Sequence, residues 1–378
     1  MARLGLAATA ALSTLSALAA TLLSPSFSGT ANAGTADTAP KAVCSVGDPR
    51  LAELSGLTAD SEHLYAVADG GTRVEVLVLD DDCQVRDVLT APTDPYDVED
   101  LALGPDATLW LGDTGDNRQV RETVALHVLS RDGTSALYRL TYPDGPQDAE
   151  ALVVDGEGTP YIITKSAVGS SRVYRPSGPL VSPGPTPLEE VATVSLLPTA
   201  TQGGPLGVAG SVLITGAALS PDGSVVALRT YTDAYLYPVT GGDIAGAFGH
   251  EPVRVPLPGE PQGEAIAFTP DGTLLSAGEG SGEPVRAIPN ATALADDRGS
   301  GDRSSATEQA ATEQRTETIE SADGEPDLDP VAPLTIAVWS AAALGAVFGV
   351  VLVARFHRQR RQRRQRRQRR QRRQRRQR

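Results

Sequence analysis

The amino-acid sequence predicts an all-β fold, a β-propeller of five four-stranded blades, or six if one irregular stretch holds part of another. Three observations predict it. A strand-turn-strand string recurs along the chain, each copy precedes further strand-like runs, and three copies carry a glutamate at the same place. Repetition at such spacing marks an array of like units.

The most complete copy is DVEDLALGPDATLWLGDTGDN, from Asp97 to Asn117. DAEALVVDGEGTPYIITK from Asp148 and QGEAIAFTPDGTLLSAGEG from Gln262 repeat its plan. In all three a glutamate lies two residues before Leu or Ile and seven before the acid of the turn. The copies at Leu54 (LSGLTADSEHLYAVADGG) and Thr215 (TGAALSPDGSVVALRTY) keep the strands but place Ser55 and Thr215 where the glutamate falls. Apolar runs on either side of Gly, Pro and Asp turns read as β-hairpins.

Two more strands follow each hairpin, as in VEVLVLD from Val74 and QVRDVLTA from Gln84, or VALHVLS from Val124 and SALYRLTYP from Ser135. The unit is a four-stranded meander of roughly 45 to 65 residues, at or above the length of a WD40-like blade. Such a sheet has two apolar faces that only neighbouring sheets can cover. The last unit supplies only GEPVRAIPN as a third strand, and KAVCSV from Lys41 is the fourth that closes the ring. Cys44 then sits in the closing strand and Cys83 in the first blade, and two cysteines in an exported chain predict one disulfide. The irregular stretch is TATQGGPLGVAGSVLI, Thr199 to Ile214.

Both ends of the chain read as addresses. Residues 1–33 form a signal peptide, with Arg3, an uncharged stretch from Leu4 to Leu23, and Ala31-Asn32-Ala33 before the cleavage point. The propeller domain spans 41–292, followed by an acidic linker at 293–330 too poor in apolar residues to offset its ordering entropy, hence disordered. Residues 331–354 form a transmembrane helix, since Leu334 to Ala354 carries no charge and spans about 30 Å at helical rise. The basic tail, 355–378, is built of QRR triplets and places the C-terminus in the cytoplasm. The domain is therefore expected outside the plasma membrane on a single-pass anchor. A cell-wall sorting signal needs Leu-Pro-x-Thr-Gly ahead of the helix, and DGEPDLDPVAPL lacks it. Anionic lipid headgroups are the expected partner of the tail, at about 1 kcal/mol per Arg near the surface.

The tail also hides a charge asymmetry. It holds 15 of the 33 basic residues, which leaves 18 against 47 acids, near −29, in the rest of the chain. Such a surface repels nucleic acid and concentrates cations.

In a propeller the first strand of each blade starts on the face where the second ends. Glu99, Glu150 and Glu264 open first strands, while Asp69, Asp113, Lys165, Arg229 and Glu279 close second strands. All are expected near one mouth of the channel, flanked by Asp97, Asp116, Asp148 and Tyr231. Converging carboxylates repel unless neutralised by protons, by Lys165 and Arg229, or by a hard cation, for which Ca2+ is the natural candidate. Glu99, Glu150, Glu264 and Asp113 are the expected metal ligands, and Asp69, Lys165, Arg229 and Glu279 the ligand-binding rim. Alternatively each glutamate caps a strand corner in its own blade. The string DTGDNRQVRE from Asp113 lacks the spacing of an EF-hand. No G-x-S-x-G elbow occurs, and His63, His127 and His250 sit in a turn, an outer strand and a Gly-rich loop, so no catalytic residue is assigned.

The inner-strand glutamates and the Pro-Asp-Gly turns at Pro221 and Pro270 are similar to those of secreted bacterial propellers. The chain resembles phytase-like and esterase-like propellers and, more distantly, the gluconolactonase and regucalcin family. That resemblance implies acidic residues around the channel that bind calcium, and in some members hydrolysis of phosphoesters or lactones there. Ser55 and Thr215 depart from the pattern. The expected function is thus a membrane-tethered propeller that binds an extracellular protein or small molecule at an acidic mouth; nothing demands a nucleophile. A calcium-dependent hydrolase with Lys165 and Arg229 neutralising an oxyanion, and a structural envelope protein, are the alternatives.

Overall fold

The computed structural model describes residues 39–295. The expected signal peptide, the membrane segment, the basic tail and nearly all of the linker lie outside the described residues. Among the described residues no helix is long and apolar enough to cross a membrane.

The chain is all-β. Its strands are β1 (Lys41–Ser45), β2 (Leu54–Ala59), β3 (Leu64–Ala68), β4 (Val74–Leu79), β5 (Val85–Ala91), β6 (Asp100–Leu103), β7 (Leu109–Asp113), β8 (Val124–Leu129), β9 (Ser135–Thr141) and β10 (Ala149–Val154). Then come β11 (Pro160–Thr164), β12 (Ser170–Pro176), β13 (Thr186–Ser195), β14 (Ile214–Leu219), β15 (Val225–Thr230), β16 (Asp233–Pro238), β17 (Val253–Pro256), β18 (Gly263–Phe268), β19 (Leu274–Gly278) and β20 (Pro284–Ile288).

Each group of four is an antiparallel meander: β2–β5, β6–β9, β10–β13 and β14–β17. Strands β18–β20 take β1 as their fourth, paired antiparallel with β20, which is the closure expected from the sequence. The first strands β2, β6, β10, β14 and β18 neighbour one another in that order, and β18 returns to β2. This ring of radial sheets is a β-propeller. One departure is that β13 runs parallel to β9 at Thr186↔Leu140 and Pro187↔Thr141, which fuses two meanders into one hydrogen-bonded sheet.

Burial explains the strand sequences. First strands such as β2, β10 and β18 are buried at every residue, so apart from the polar residue at their second position they are rich in small and apolar residues and show no simple alternation. Fourth strands such as β13 alternate, because one face meets water. A separate core fills each gap between adjacent sheets. Leu57, Ala66 and Leu77 meet Ala265 and Leu275 across the closing gap, and Tyr65 and Val76 meet Leu101 and Leu111 across the next. Truncating one such leucine to alanine costs about 2–5 kcal/mol. Beyond β20 a helical turn at 291–295 buries Ala291 and Ala295 against Ile266 and Leu274.

The stretch from Thr199 to Leu213 forms no strand. A 3₁₀ segment, Gly207–Val212, occupies it, and the hydroxyls of Thr199 and Thr201 each donate to buried Asp233 at 2.7 Å. Its polar groups are spent on tethering the loop to β16.

Cys44 and Cys83 form a disulfide across 39 residues, with Cα atoms 5.7 Å apart. The bond ties the closing strand to the turn after β4, and loop-closure entropy assigns it about 4 kcal/mol. Replacing both cysteines by serine is therefore expected to lower the urea-unfolding free energy by about 2–4 kcal/mol. An unchanged midpoint would show that β1 holds the seam alone.

Candidate functional site

The upper mouth, where first strands begin and second strands end, is built from one repeated corner. The strand register slips at Ser55 in β2, Glu150 in β10, Thr215 in β14 and Glu264 in β18. A bulge re-aims its side chain. Here the hydroxyls use it to clamp the next sheet: Ser55 donates to the carbonyl of Val98 at 3.0 Å and Thr215 to that of Gly263 at 2.9 Å. Thr114 does the same to Ala149 at 2.8 Å. Each clamped carbonyl immediately precedes Glu99, Glu264 or Glu150.

The same corner fixes the ends of the second strands. The N–H groups of Asp69, Lys165 and Glu279 donate to the carbonyls of Glu53, Asp148 and Gln262 at 2.8–3.1 Å. Asp69, Lys165 and Glu279 are half-buried at this mouth.

Asp113 is a structural hub. Its carboxylate accepts the N–H groups of Tyr96 and Asp97 at 3.0 and 2.9 Å, the Arg121 guanidinium at 3.0 Å, and lies 3.1 Å from His127 Nε2. Burial, the largest single influence, pushes its carboxyl up, but the His127 contact, the Arg121 charge and the two N–H groups outweigh it and hold it below the ordinary value. The loop after it is organised by Asp116, which accepts from the N–H groups of Val120 and Arg121 at 2.5 and 2.6 Å. Gly115 is required there: a Cβ would sit 2.0 Å from Glu99 Oε1 and 2.9 Å from Asp97 Oδ2.

The expected ligands Glu99, Glu150, Glu264 and Asp113 are not gathered into one cluster. Among the described residues no group of three His, Cys, Asp or Glu side chains is placed to hold a metal ion. Protein groups engage the carboxylates instead. Lys165 Nζ donates to Glu150 and, at 2.7 Å, to Tyr231 Oη, while Gln262 Nε2 donates to Glu264 at 3.0 Å.

Arg229 lies elsewhere than expected. It is fully buried between β15 and the β18–β19 strands, paired with Glu260 at 2.8 Å and donating to the carbonyls of Ala265 and Ala277. Strand alternation turns it into the gap between sheets, so it is not part of the rim. Glu260 also takes the Ser276 hydroxyl, and Arg286 lies 3.4 Å away.

The sequence pattern did not point to Asp100. This carboxylate, fully buried at the start of β6, accepts the N–H of Leu101 at 2.8 Å, of Leu152 on β10 at 2.7 Å and of Ala217 on β14 at 3.1 Å. It spans the channel, since β6 and β14 are not ring neighbours. Burial dominates and pushes its carboxyl from 3.8 up to about 8, against the pull of three N–H donors.

Among the described residues an upper and a lower cavity open on the channel region. The upper one, about 430 Å³, is lined by Lys165, Ser166, Arg172, Asp148, Asn117 and Tyr231, with Leu206 and Leu213. It is displaced from the axis toward β10–β13. The lower one, also about 430 Å³, is lined by the ends of all the first strands, including Leu57, Leu103, Val154, Leu219 and Phe268.

The sequence matches no protein-family model and no curated protein. The structure is similar to virginiamycin B lyase from Staphylococcus aureus, at 12% identity over 61% of this chain and 65% of that one, with a TM-score of 0.33. It is also similar to a gluconolactonase from Xanthomonas campestris (15% identity, 60% of this chain and 68% of that one, TM-score 0.36). A PQQ-bound aldose sugar dehydrogenase from Streptomyces coelicolor aligns at 10% identity over 66% of this chain and 96% of that one, with a TM-score of 0.36. The chain thus spans less than two thirds of the lyase's length.

Asp100 gives the fold a definite pH dependence. Its folded value lies above the ordinary 3.8, so the folded chain keeps a proton that the unfolded chain releases, and the stability it contributes is lost as pH rises toward about 8. Asp113, held low, acts in the opposite sense and loses its contribution on acidification. Asp100→Asn cannot titrate. Relative to the variant, the wild-type urea midpoint is expected to fall between pH 5 and pH 8; parallel midpoints would refute the assignment.

Proposed function

We propose that the chain is an extracellular five-bladed propeller, anchored in the plasma membrane by residues 331–354, that binds a small polar ligand in the upper cavity. The observation that carries this reading is the convergence of Lys165, Arg172, Asp148 and Tyr231 on one cavity of about 430 Å³. Ligand pockets of this size combine a few fixed polar groups with apolar walls, here Leu206 and Leu213. The strand corner bonds the Lys165 N–H to the Asp148 carbonyl, and the Lys165 ammonium is tied to Glu150 and Tyr231, so little ordering of these groups is left to the moment of binding.

Ala167 lies on the exposed β11–β12 loop and lines the cavity, so a bulky residue there fills it with little effect on folding. Wild-type protein is to be screened by thermal shift against small hydroxylated acids, amines and carbonyl compounds. Ala167→Trp is expected to keep the melting temperature and to lose the ligand-induced rise. A rise of equal size in the variant would move the site away from this cavity.

The second reading is a calcium-dependent hydrolase. It is favoured by the carboxylates of Asp97 and Glu99, which lie side by side against Gly115. Calcium accepts such oxygens in loose geometry. On this reading millimolar calcium raises the melting temperature and Glu99→Gln removes the rise. No response to calcium in the wild type would exclude it.

A further inference from the structure

The chain draws almost all its basic residues from arginine: of 33, only Lys41 and Lys165 are lysine. Its buried ion pairs follow that usage. Arg121 meets Asp113 at 3.0 Å and Arg229 meets Glu260 at 2.8 Å, both well shielded from water. A guanidinium suits such places, being planar, permanently charged and rich in donors. Glu150, also buried, is paired with Lys165 instead. What lysine offers there and arginine does not is an amine that gives up its proton and attacks carbon.

The surroundings make that amine usable. Lys165 and Tyr231 both line the upper cavity. The Glu150 carboxylate is in contact with Nζ and is placed to take its proton, and Tyr231 Oη lies 2.7 Å away. Resting on the cavity as the ligand site, we infer that Lys165 forms a reversible imine with a small aldehyde or ketone held there.

The steps balance without an oxidant or reductant. Glu150 takes a proton from the ammonium, and the nitrogen lone pair forms a bond to the carbonyl carbon as the C=O π pair moves to oxygen. That oxygen takes a proton from the Tyr231 hydroxyl, which recovers one from the nitrogen, leaving a neutral carbinolamine. The carbinolamine hydroxyl then takes the proton on Glu150 and departs as water, and the nitrogen lone pair closes the C=N bond. Ammonium and carbonyl have become iminium and water. Asn117 and Ser166, on the cavity wall, are placed to hold polar substituents of the carbonyl compound.

The scarcity of lysine makes the test clean. The detergent-solubilised full-length chain is incubated with glycolaldehyde and cyanoborohydride, and alkylated lysines are mapped by peptide mass. Lys41 is exposed on β1 and serves as the internal reference. Lys165 is expected to be labelled at least tenfold faster than Lys41. Tyr231→Phe and Glu150→Gln are expected to slow labelling of Lys165 at least tenfold while leaving Lys41 unchanged. Should one of these fail to fold, the other carries the test. Equal rates at the two lysines, or rates at Lys165 indifferent to both substitutions, would overturn the imine. If glycolaldehyde raises the melting temperature of wild type and Lys165→Arg alike without labelling Lys165, the cavity binds and the imine is wrong. Labelling of Lys165 that survives Ala167→Trp would instead refute the cavity as the binding site.

Discussion

A ring of first strands turns backbone N–H and C=O groups toward one another in a channel, and each group left unbonded there costs about 1–3 kcal/mol. This constraint shapes the rest of the molecule. Asp100 answers it on the axis by taking N–H groups from β10 and β14 onto a single carboxylate. Ser55, Thr114 and Thr215 answer it at the upper corners by clamping carbonyls of the next sheet. The sheets are thereby joined by directed bonds as well as by apolar contact, and the upper mouth gains a fixed geometry. Lys165 and Tyr231 inherit their places from that geometry.

Electrostatics within the domain are settled locally. Asp113 is matched by Arg121 and His127, Glu260 by Arg229 and Arg286, and Asp233 by three threonine hydroxyls and Arg254. Removing one partner from such a buried pair strands the other charge, which costs far more than the pair contributes when intact. An acidic composition therefore need not produce an acidic cluster: many of the carboxylates act as acceptors for the fold's own donors.

The sequence made the all-β architecture legible because the strands and turns recur, and because the unmatched run at Lys41 fits the incomplete last sheet. Reading by recurrence has a cost. The column after Ser55, Glu99, Glu150, Thr215 and Glu264 holds Gly56, Asp100, Ala151, Gly216 and Ala265, so a carboxylate used once on the axis leaves no repeated signal. At Gly56 a Cβ would meet Leu101 N at 2.5 Å, which shows how closely the inner strands approach beside Asp100. Glu260 lies in a Gly- and Pro-rich connector where no strand pattern marks it. The end of a strand fixes a residue's height in the ring but not the face to which its side chain turns, which is why Arg229 lies buried with Glu260 between sheets and not on the rim. The shared position of Glu99, Glu150 and Glu264 was readable; the Lys165 and Gln262 contacts to Glu150 and Glu264, and the room that Gly115 leaves Glu99, were not, since they arise only through the folded corners.

The seam between β1 and β20 has a mechanical meaning. The two strands are antiparallel, with Lys41 opposite Ala287, so the chain enters and leaves the ring at the same edge. A force separating those ends would not shear the strands along their length; it would peel them, breaking backbone bonds one pair at a time, the mode that resists load least. The peel runs only as far as Cys44. There the disulfide to Cys83 passes the load into the turn after β4, so that the apolar contact between the first and last sheets carries it in place of the remaining backbone bonds of one edge.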